Sequence, residues 1–266
     1  MSSTQTASDE SYVLRRDNGG VATLTLNRPQ QFNSLSRAMI GALQTQLDAI
    51  AGDSQVRVVV IAGAGKAFCA GHDLKEMRAN HNKAFMQDLF KRCGRMMMTL
   101  TEMPQPVIAR VHAIATAAGC QLVSMCDLAV AAEQARFATS GINVGLFCAT
   151  PGVGLSRNLG RKEALEMLLT GDFIDAPTAL RHGLVNRVVS AEQLDAEIDQ
   201  LAQSIIGKSS VAIGMGKQMF YKQLEMGLDA AYQYAAEVMA CNMMTEDAGE
   251  GIDAFIGKRQ PVWQGR

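Results

Sequence analysis

Apolar and polar positions sort this 266-residue chain into alternating strand-like and helix-like segments before any chemistry is considered. Residues 13–26 hold two strand patterns broken at Asn18-Gly19-Gly20. Over 21–26 the alternation sets Val21, Thr23 and Thr25 on one face and Leu24 and Leu26 on the other. Pro29 ends the run. Ser36 then caps a predicted helix whose face carries Met39, Ile40, Leu43, Leu47 and Ile50, and Gly52 stops it. A continuous apolar run over 56–62 predicts a strand buried on both faces. Phe85, Leu89, Cys93, Met96, Met97 and Leu100 recur at helical spacing ahead of Pro104. Further strands are expected at 107–111 and 128–132, with a helix from about Ala118 between them.

Such alternation predicts a sheet built from parallel crossovers. The last third reads differently. Ser190-x-x-Gln193 has the form of a capping box, followed by Leu194, Ile198, Leu201 and Ile205 on one helical face and then Gly207. Further helices follow without an intervening strand. The expected organisation is a flexible segment over 1–10, an α/β core over 11–189 and a helical region over 190–266, with no fixed-period repeat.

Composition narrows the function classes. Nearly half the residues are apolar (48%) and 19% are charged, which fits a folded chain long enough for one large core. With 25 basic and 26 acidic side chains the net charge is −1, so no global field recruits nucleic acid or anionic membrane. The most apolar stretch, 111–126, is bounded by Arg110 and Asp127 and interrupted by His112, Thr116, Gln121 and Ser124. It falls short of a bilayer span of about 20 residues. The first ten residues contain neither an apolar run nor a basic residue, which argues against a secretory or Arg-rich leader. Six scattered cysteines without C-x-x-C spacing read as reduced, buried thiols. A cytoplasmic protein is the resulting expectation.

Several kinds of site are missing. Gly63-Ala-Gly65 follows a strand, but Phe68 stands where a dinucleotide fingerprint needs a third glycine. Lys66 lacks the remaining residues of a P-loop, and no clustered His/Cys set offers a metal site. The few aromatics are not interleaved with basic residues, so no base-stacking surface is expected. Two places share one theme instead. Ala67-Phe-Cys-Ala-Gly-His-Asp73 and Thr116-Ala-Ala-Gly-Cys120 each run from a buried strand through a small-residue turn into a helix start. Amides in a first helical turn have no internal partner and carry the positive dipole end. Two such turns side by side could aim two amides at one carbonyl oxygen and stabilise an enolate. The same small residues would also serve merely to let helix and strand approach closely.

These stretches resemble the crotonase family, the enoyl-CoA hydratase/isomerase superfamily. The matching pieces are Leu26-Asn-Arg-Pro29 with Asn33, and Phe68-Cys-Ala-Gly-His-Asp-Leu-Lys-Glu-Met77. Pro106-Val-Ile-Ala, Ala118-Gly-Cys-Gln-Leu122, Cys126-Asp127 and Phe137 with Gly145 continue the match. Leu168-Leu-Thr-Gly171, His182-Gly-Leu-Val185 and Glu250-Gly251 with Ala254-Phe-Ile-Gly-Lys-Arg259 complete it. Gly-His-Asp-Leu-Lys paired with Gly-Cys-Gln-Leu is closest to the "enoyl-CoA hydratase domain-containing" subgroup.

The resemblance implies an α/β crotonase-type spiral of ββα turns with a C-terminal helical trimerisation region, assembled as a homotrimer or homohexamer. It implies an acyl-CoA thioester as substrate, with coenzyme A entering as part of that substrate, no tightly bound cofactor and no metal. Carried over residue by residue, the oxyanion-hole amides fall on the backbones of His72 and Ala118. Asp73, Leu74 and Lys75 fall where the family wraps adenine and pantetheine, and Gln30, Gln31 and Phe32 match a loop lining the CoA channel. Phe255 and Lys258 match positions that approach CoA from a neighbouring subunit.

One departure stands out. The family's hydratases use two glutamates, and their positions hold Gln121 and Gly141; the acidic position some relatives use nearby falls on Ala149. A glutamine amide does not titrate and glycine has no side chain, so neither performs general acid–base work. His72, His112, Asn143, Cys148 and Thr150 remain in the neighbourhood. The expectation for His72 is that only its amide matters and the ring faces solvent. His112 is expected to be a hydrogen-bonded core histidine, and Cys148 an inert thiol. Three readings stay open: an enzyme needing little acid–base help from its side chains, a non-catalytic acyl-CoA binder, and a true hydratase with its acid/base elsewhere.

Overall fold

The computed structural model describes residues 11–266; the flexible segment expected over 1–10 lies outside the described residues. β1 (Val13–Asn18) and β2 (Val21–Leu26) form the antiparallel hairpin that the broken strand pattern predicts, with Asn18 paired to Val21 across the glycines. A short 3-10 turn at Pro29–Gln31 leads to α1 (Arg37–Ala51), which Ser36 caps by accepting the Met39 amide at 3.2 Å. β3 (Val58–Gly63), β4 (Ala67–Cys69), α2 (Leu74–Ala79) and α3 (Lys83–Glu102) follow. Next come β5 (Val107–Val111), β6 (Ile114–Thr116), α4 (Ala118–Met125), β7 (Leu128–Ala132) and β8 (Arg136–Ala138).

The chain continues through a 3-10 turn at Ser140–Val144 to α5 (Ala149–Asn158), α6 (Arg161–Thr170), β9 (Ile174–Asp175), α7 (Ala176–Arg181) and β10 (Arg187–Val189). It ends in α8 (Leu194–Ile206), α9 (Ser210–Gln223), α10 (Leu228–Met243) and α11 (Glu246–Ile256). The strands form two sheets. One has order β1-β2-β3-β5-β7-β10 and is parallel beyond the first hairpin; the other has order β4-β6-β8-β9. β3, β5 and β7 are each followed by a short strand of the second sheet and then by helix, which makes this part of the chain a spiral of ββα turns.

Burial on both faces explains why β3 reads as an unbroken apolar run. Val59 and Ile61 pack into the main core with α1, α3 and α4, while Val58 and Val60 pack beneath Leu194, Ile198 and Ala202 of α8. One detail of the α8 entry departs from expectation. Ser190 makes no side-chain cap; a 3-10 turn at Ala191–Gln193 intervenes, so α8 starts at Leu194 beyond reach of the hydroxyl.

A buried polar cluster ties the helical C-terminal region to the sheet. Lys217 on α9 donates to the carbonyls of Leu100 and Gln105 at 2.7 and 2.8 Å and pairs with Asp127 at 2.7 Å. Asp127 also accepts the Tyr221 hydroxyl and the Val107 amide. Burial lowers the Lys217 pKa and the Asp127 carboxylate opposes that shift. Beyond this anchor the region is weakly buried: α9 encloses only Gly214 and α10 only Ala231.

Candidate active site

The site begins with a side chain that anchors a loop. Asn33 is completely buried. Its Nδ2 donates to the carbonyls of Ala64, Ala67 and Phe68 at 2.8, 2.9 and 3.2 Å, and its Oδ1 accepts the Arg28 amide at 2.9 Å. One amide side chain thereby fastens the 28–33 loop to the strand end that leads into the Gly71 turn. Two backbone bonds extend the seam: the Ala70 amide to the Phe32 carbonyl at 3.0 Å, and the Leu35 amide to the Gly71 carbonyl at 2.7 Å. Gln30, Gln31 and Phe32 therefore lie along the same edge as the His72 turn, and all three are exposed.

The two small-residue turns are in contact. Gly71 has φ +87°, and a Cβ built on it would lie 2.8 Å from the Ala117 Cβ and 3.1 Å from the Ala118 nitrogen. Only a glycine allows the first turn to press this closely on the second. Ala117 itself has φ 51° and ψ −122°, a strained conformation for a residue with a side chain, held by its amide bond to the Ala138 carbonyl at 3.0 Å. Gly119, one residue into α4, packs directly on the Cys69 carbonyl. Among the described residues neither the His72 nor the Ala118 amide donates a backbone hydrogen bond.

Both turns open onto one cavity of about 240 Å³, lined by Ala70, His72, Ala117 and Ala118 and by Ser140, Gly141 and Cys148. Leu74, Met77, Phe90, Val144, Leu146 and Phe147 add apolar wall, and Ala149, Thr150 and Pro151 at the start of α5 also line it, Thr150 bringing a second hydroxyl in addition to that of Ser140. Asp73 accepts the Lys75 and Glu76 amides at 2.9 and 3.0 Å and so caps α2, while Leu74 and Lys75 stand exposed at the rim. Phe255 and Lys258 are exposed at the end of α11 and do not line the cavity.

His72 corrects an expectation, because its ring does not face solvent. It stacks edge-on against Phe90, with centroids 5.4 Å apart, and its Nδ1–H donates to the Leu35 carbonyl at 3.2 Å. Nε2 is buried without a partner, and burial lowers the pKa, opposed by the Leu35 bond. His112 hydrogen-bonds the Gly65 carbonyl through Nε2 at 2.8 Å, as a core histidine would, though it is only half-buried. Burial raises the Cys148 thiol pKa, offset in part by the Gly141 amide, while Cys69 and Cys120 are pushed up to about 12. The expectation of uniformly buried thiols fails at Cys241, which is exposed on α10.

The two positions without carboxylates behave differently. Gln121 is buried on α4 with its Oε1 unpartnered, and it does not reach the cavity lining. Gly141 lines the cavity but is closed to any side chain: a Cβ there would sit 2.6 Å from the Leu146 carbonyl and 2.7 Å from the Cys148 Sγ. Asn33 and the strained Ala117 are positioning residues whose roles the sequence reading did not give. In the sequence Asn33 is marked by its place in the family motif and Ala117 by its place in a small-residue turn, but neither mark reveals the buried hydrogen bonds of the one or the backbone conformation of the other.

Residues 16–266 match the family described as Enoyl-CoA hydratase/isomerase. The enoyl-CoA hydratase domain-containing protein 3, mitochondrial, of Xenopus laevis is 46% identical over 94% of this chain and 85% of its own length. The Homo sapiens protein of the same name is 43% identical over 92% and 80%. Among solved structures, an enoyl-CoA hydratase from Mycobacterium smegmatis is 57% identical, covering 96% of this chain and 99% of that one with a TM-score of 0.94. Human enoyl coenzyme A hydratase domain-containing protein 3 reaches 43%, 95%, 100% and 0.92. The cytoplasmic expectation is overturned by these names, since the frog and human relatives are both called mitochondrial. Unpaired thiols indicate reducing surroundings, and they do not say which compartment supplies them.

Proposed function

The chain belongs to the enoyl-CoA hydratase/isomerase family, and from that membership we propose that it binds an acyl-CoA thioester and polarises the thioester carbonyl between the backbone amides of His72 and Ala118. The observation that carries this reading is the contact of the two turns, with Gly71 against the Ala118 nitrogen at the wall of one cavity. Amides fixed in that wall favour the oxygen of an enolate over that of the ground-state thioester, and each such donor is typically worth ~10²–10³ in rate. Gln30, Gln31, Phe32, Asp73, Leu74 and Lys75 would carry the coenzyme A portion along the rim. Phe255 and Lys258 would meet it from a neighbouring subunit. A homotrimer or homohexamer accounts for the apolar side chains left uncovered on the last helices, among them Leu228, Tyr232, Met239 and Phe255, each more than 70% exposed.

The reaction is one that leans on enolate stabilisation rather than on a carboxylate pair, such as substrate-assisted decarboxylation, isomerisation or slow hydration. Gln121 does not titrate, and the site at Gly141 has no room for an acid. Each missing acid–base function is typically worth ~10²–10⁴, so crotonyl-CoA hydration is expected well below that of relatives with both glutamates. Incubation with a panel of acyl-CoAs followed by mass spectrometry tests the proposal. Conversion of any member, retained in Gln121→Ala, supports the enzyme. Tight binding with every thioester recovered unchanged supports a non-catalytic binder, a reading favoured by the closed Gly141 site. Crotonyl-CoA hydration at full family rate would place an acid/base elsewhere in the cavity.

A further inference from the structure

Two pieces of the family motif have no place at the cavity: Glu250-Gly251 on α11 and Arg259 beyond it line none of its wall. Both instead engage the segment around 262–266, which runs back over α11 to its first turn. We propose that residues 262–266 are a strap that fastens α11 to the junction of α8 and α9, so that α11 opens as a separate unit when the strap is released. The inference involves no ligand and is independent of the acyl-thioester reading above.

Little else holds α11. A helix of 11 residues is marginal on its own, and within it only Asp247 and Ala254 are buried, while Ile252, Phe255 and Ile256 stand exposed. Asp247 is where the strap is tied. Its carboxylate accepts the Gln264 amide at 2.6 Å, the Gly265 amide at 3.1 Å and the Ser209 hydroxyl at 2.6 Å. Its own amide donates to the Arg266 carbonyl at 3.1 Å. Ser209 is the residue that caps α9, so one carboxylate joins α11, the strap and the start of α9. A charge buried this deeply is costly unless its donors stay in place.

Two further ties run along the helix. Glu250 accepts both terminal nitrogens of the Arg259 guanidinium, at 2.6 and 2.7 Å, and the Val262 amide at 2.7 Å. This two-pronged, charge-assisted pair turns the chain back just after Lys258, whose backbone is left-handed at φ 52°. Trp263 then donates its indole N–H to the carbonyl of Gly207, the residue that closes α8, at 2.9 Å. Its ring lies against Gly251, where a built Cβ would fall 3.1 and 3.2 Å from two ring carbons. A larger side chain at 251 therefore takes the space of the indole.

Hydrogen exchange read by mass spectrometry on the full chain tests this. Gly251→Leu separates two accounts, because leucine favours a helix more than glycine does but displaces the indole. A helix held by its own residues would gain protection. The strap predicts the reverse: amides of 246–256 exchange about tenfold faster, the loss of one hydrogen bond with its packing, while those of α1 and α3 keep their rates. Trp263→Ala, at a half-buried position outside every helix, should give the same pattern. Trp263→Phe, which keeps a ring on Gly251 but not the bond to Gly207, should give a smaller one. Unchanged or slower exchange of 246–256 in Gly251→Leu or Trp263→Ala would overturn the strap, as would an acceleration spread evenly over α1, α3 and α11.

Discussion

The two turns at the cavity wall reach a common arrangement by opposite means. At Gly71-His72-Asp73 the residues suit the conformation they adopt, since a glycine takes φ +87° and an aspartate caps the helix that follows. At Ala117-Ala118-Gly119 the chain does the reverse. An alanine is held at φ 51° with no side-chain cap, and the glycine sits inside α4, where it lets the helix touch β4. The first turn is relaxed and the second is strained, with its strain held by the first turn, by β8 and by α4 packing. A turn that must place one amide beside another is thus fixed by its neighbours more than by its own residues.

Substitutions at these positions break the comparison in graded steps. The largest effect is expected at Gly119→Ala, whose Cβ would fall 2.1 Å from the Cys69 carbonyl oxygen. Backbone is there to be displaced, so a loss of about 3 kcal/mol or more is expected in chemical denaturation. Gly71→Ala comes next. It combines a left-handed φ with a 2.8 Å approach to the Ala117 Cβ, and pushing the turns apart should lower kcat/KM for any converted thioester by about 10²-fold, the worth of one misplaced donor. Circular dichroism would show the fold retained.

Asp73→Ala should remove only the cap of α2, about 1 kcal/mol of stability. A larger loss would mean that the first turn is not relaxed. Ala117→Gly carries the opposite sign: relief of strain outweighs added chain entropy, for a gain of about 1 kcal/mol in chemical denaturation. A loss there would remove the claim that the second turn is strained.

The smallest effect concerns pH. Burial depresses the His72 pKa below its ordinary 6.5, so the folded state binds fewer protons than the unfolded one near that value. The associated stability is complete above pH 6.5, declines as pH falls through the folded value, and is flat below it. His72→Gln should flatten part of the fall in Tm between about pH 8 and pH 5, leaving the part due to His112, which is shifted the same way. An unchanged slope would show that the ring is not protected.

Periodicity made the long elements legible. The face of Met39, Leu43, Leu47 and Ile50 on α1 and the apolar run of β3 each repeat a burial rule over enough residues to be read. The second sheet was invisible for the converse reason. β4, β6, β8 and β9 have two or three residues each, too few for any period, and they pair with one another across intervening helices. The site was half legible. Motif order gave both turns and the two positions without carboxylates, whereas the burial of the His72 ring and the withdrawal of Gln121 from the cavity depend on what packs around them.

What the sequence alone determined is which backbone segments could form strands and helices and which side chains could never titrate, since both are local properties of residue type and spacing. Tertiary structure decided the rest. That Ala117 is held in a conformation it would not choose, against Gly71 and Ala138, and that the Thr116 and Ser140 hydroxyls meet at 2.7 Å are contacts between segments distant along the chain, while the carbonyl and thiol that seal Gly141 come from its own loop, at Leu146 and Cys148. Their energies depend on distances of a few tenths of an ångström, which packing sets and no local pattern encodes.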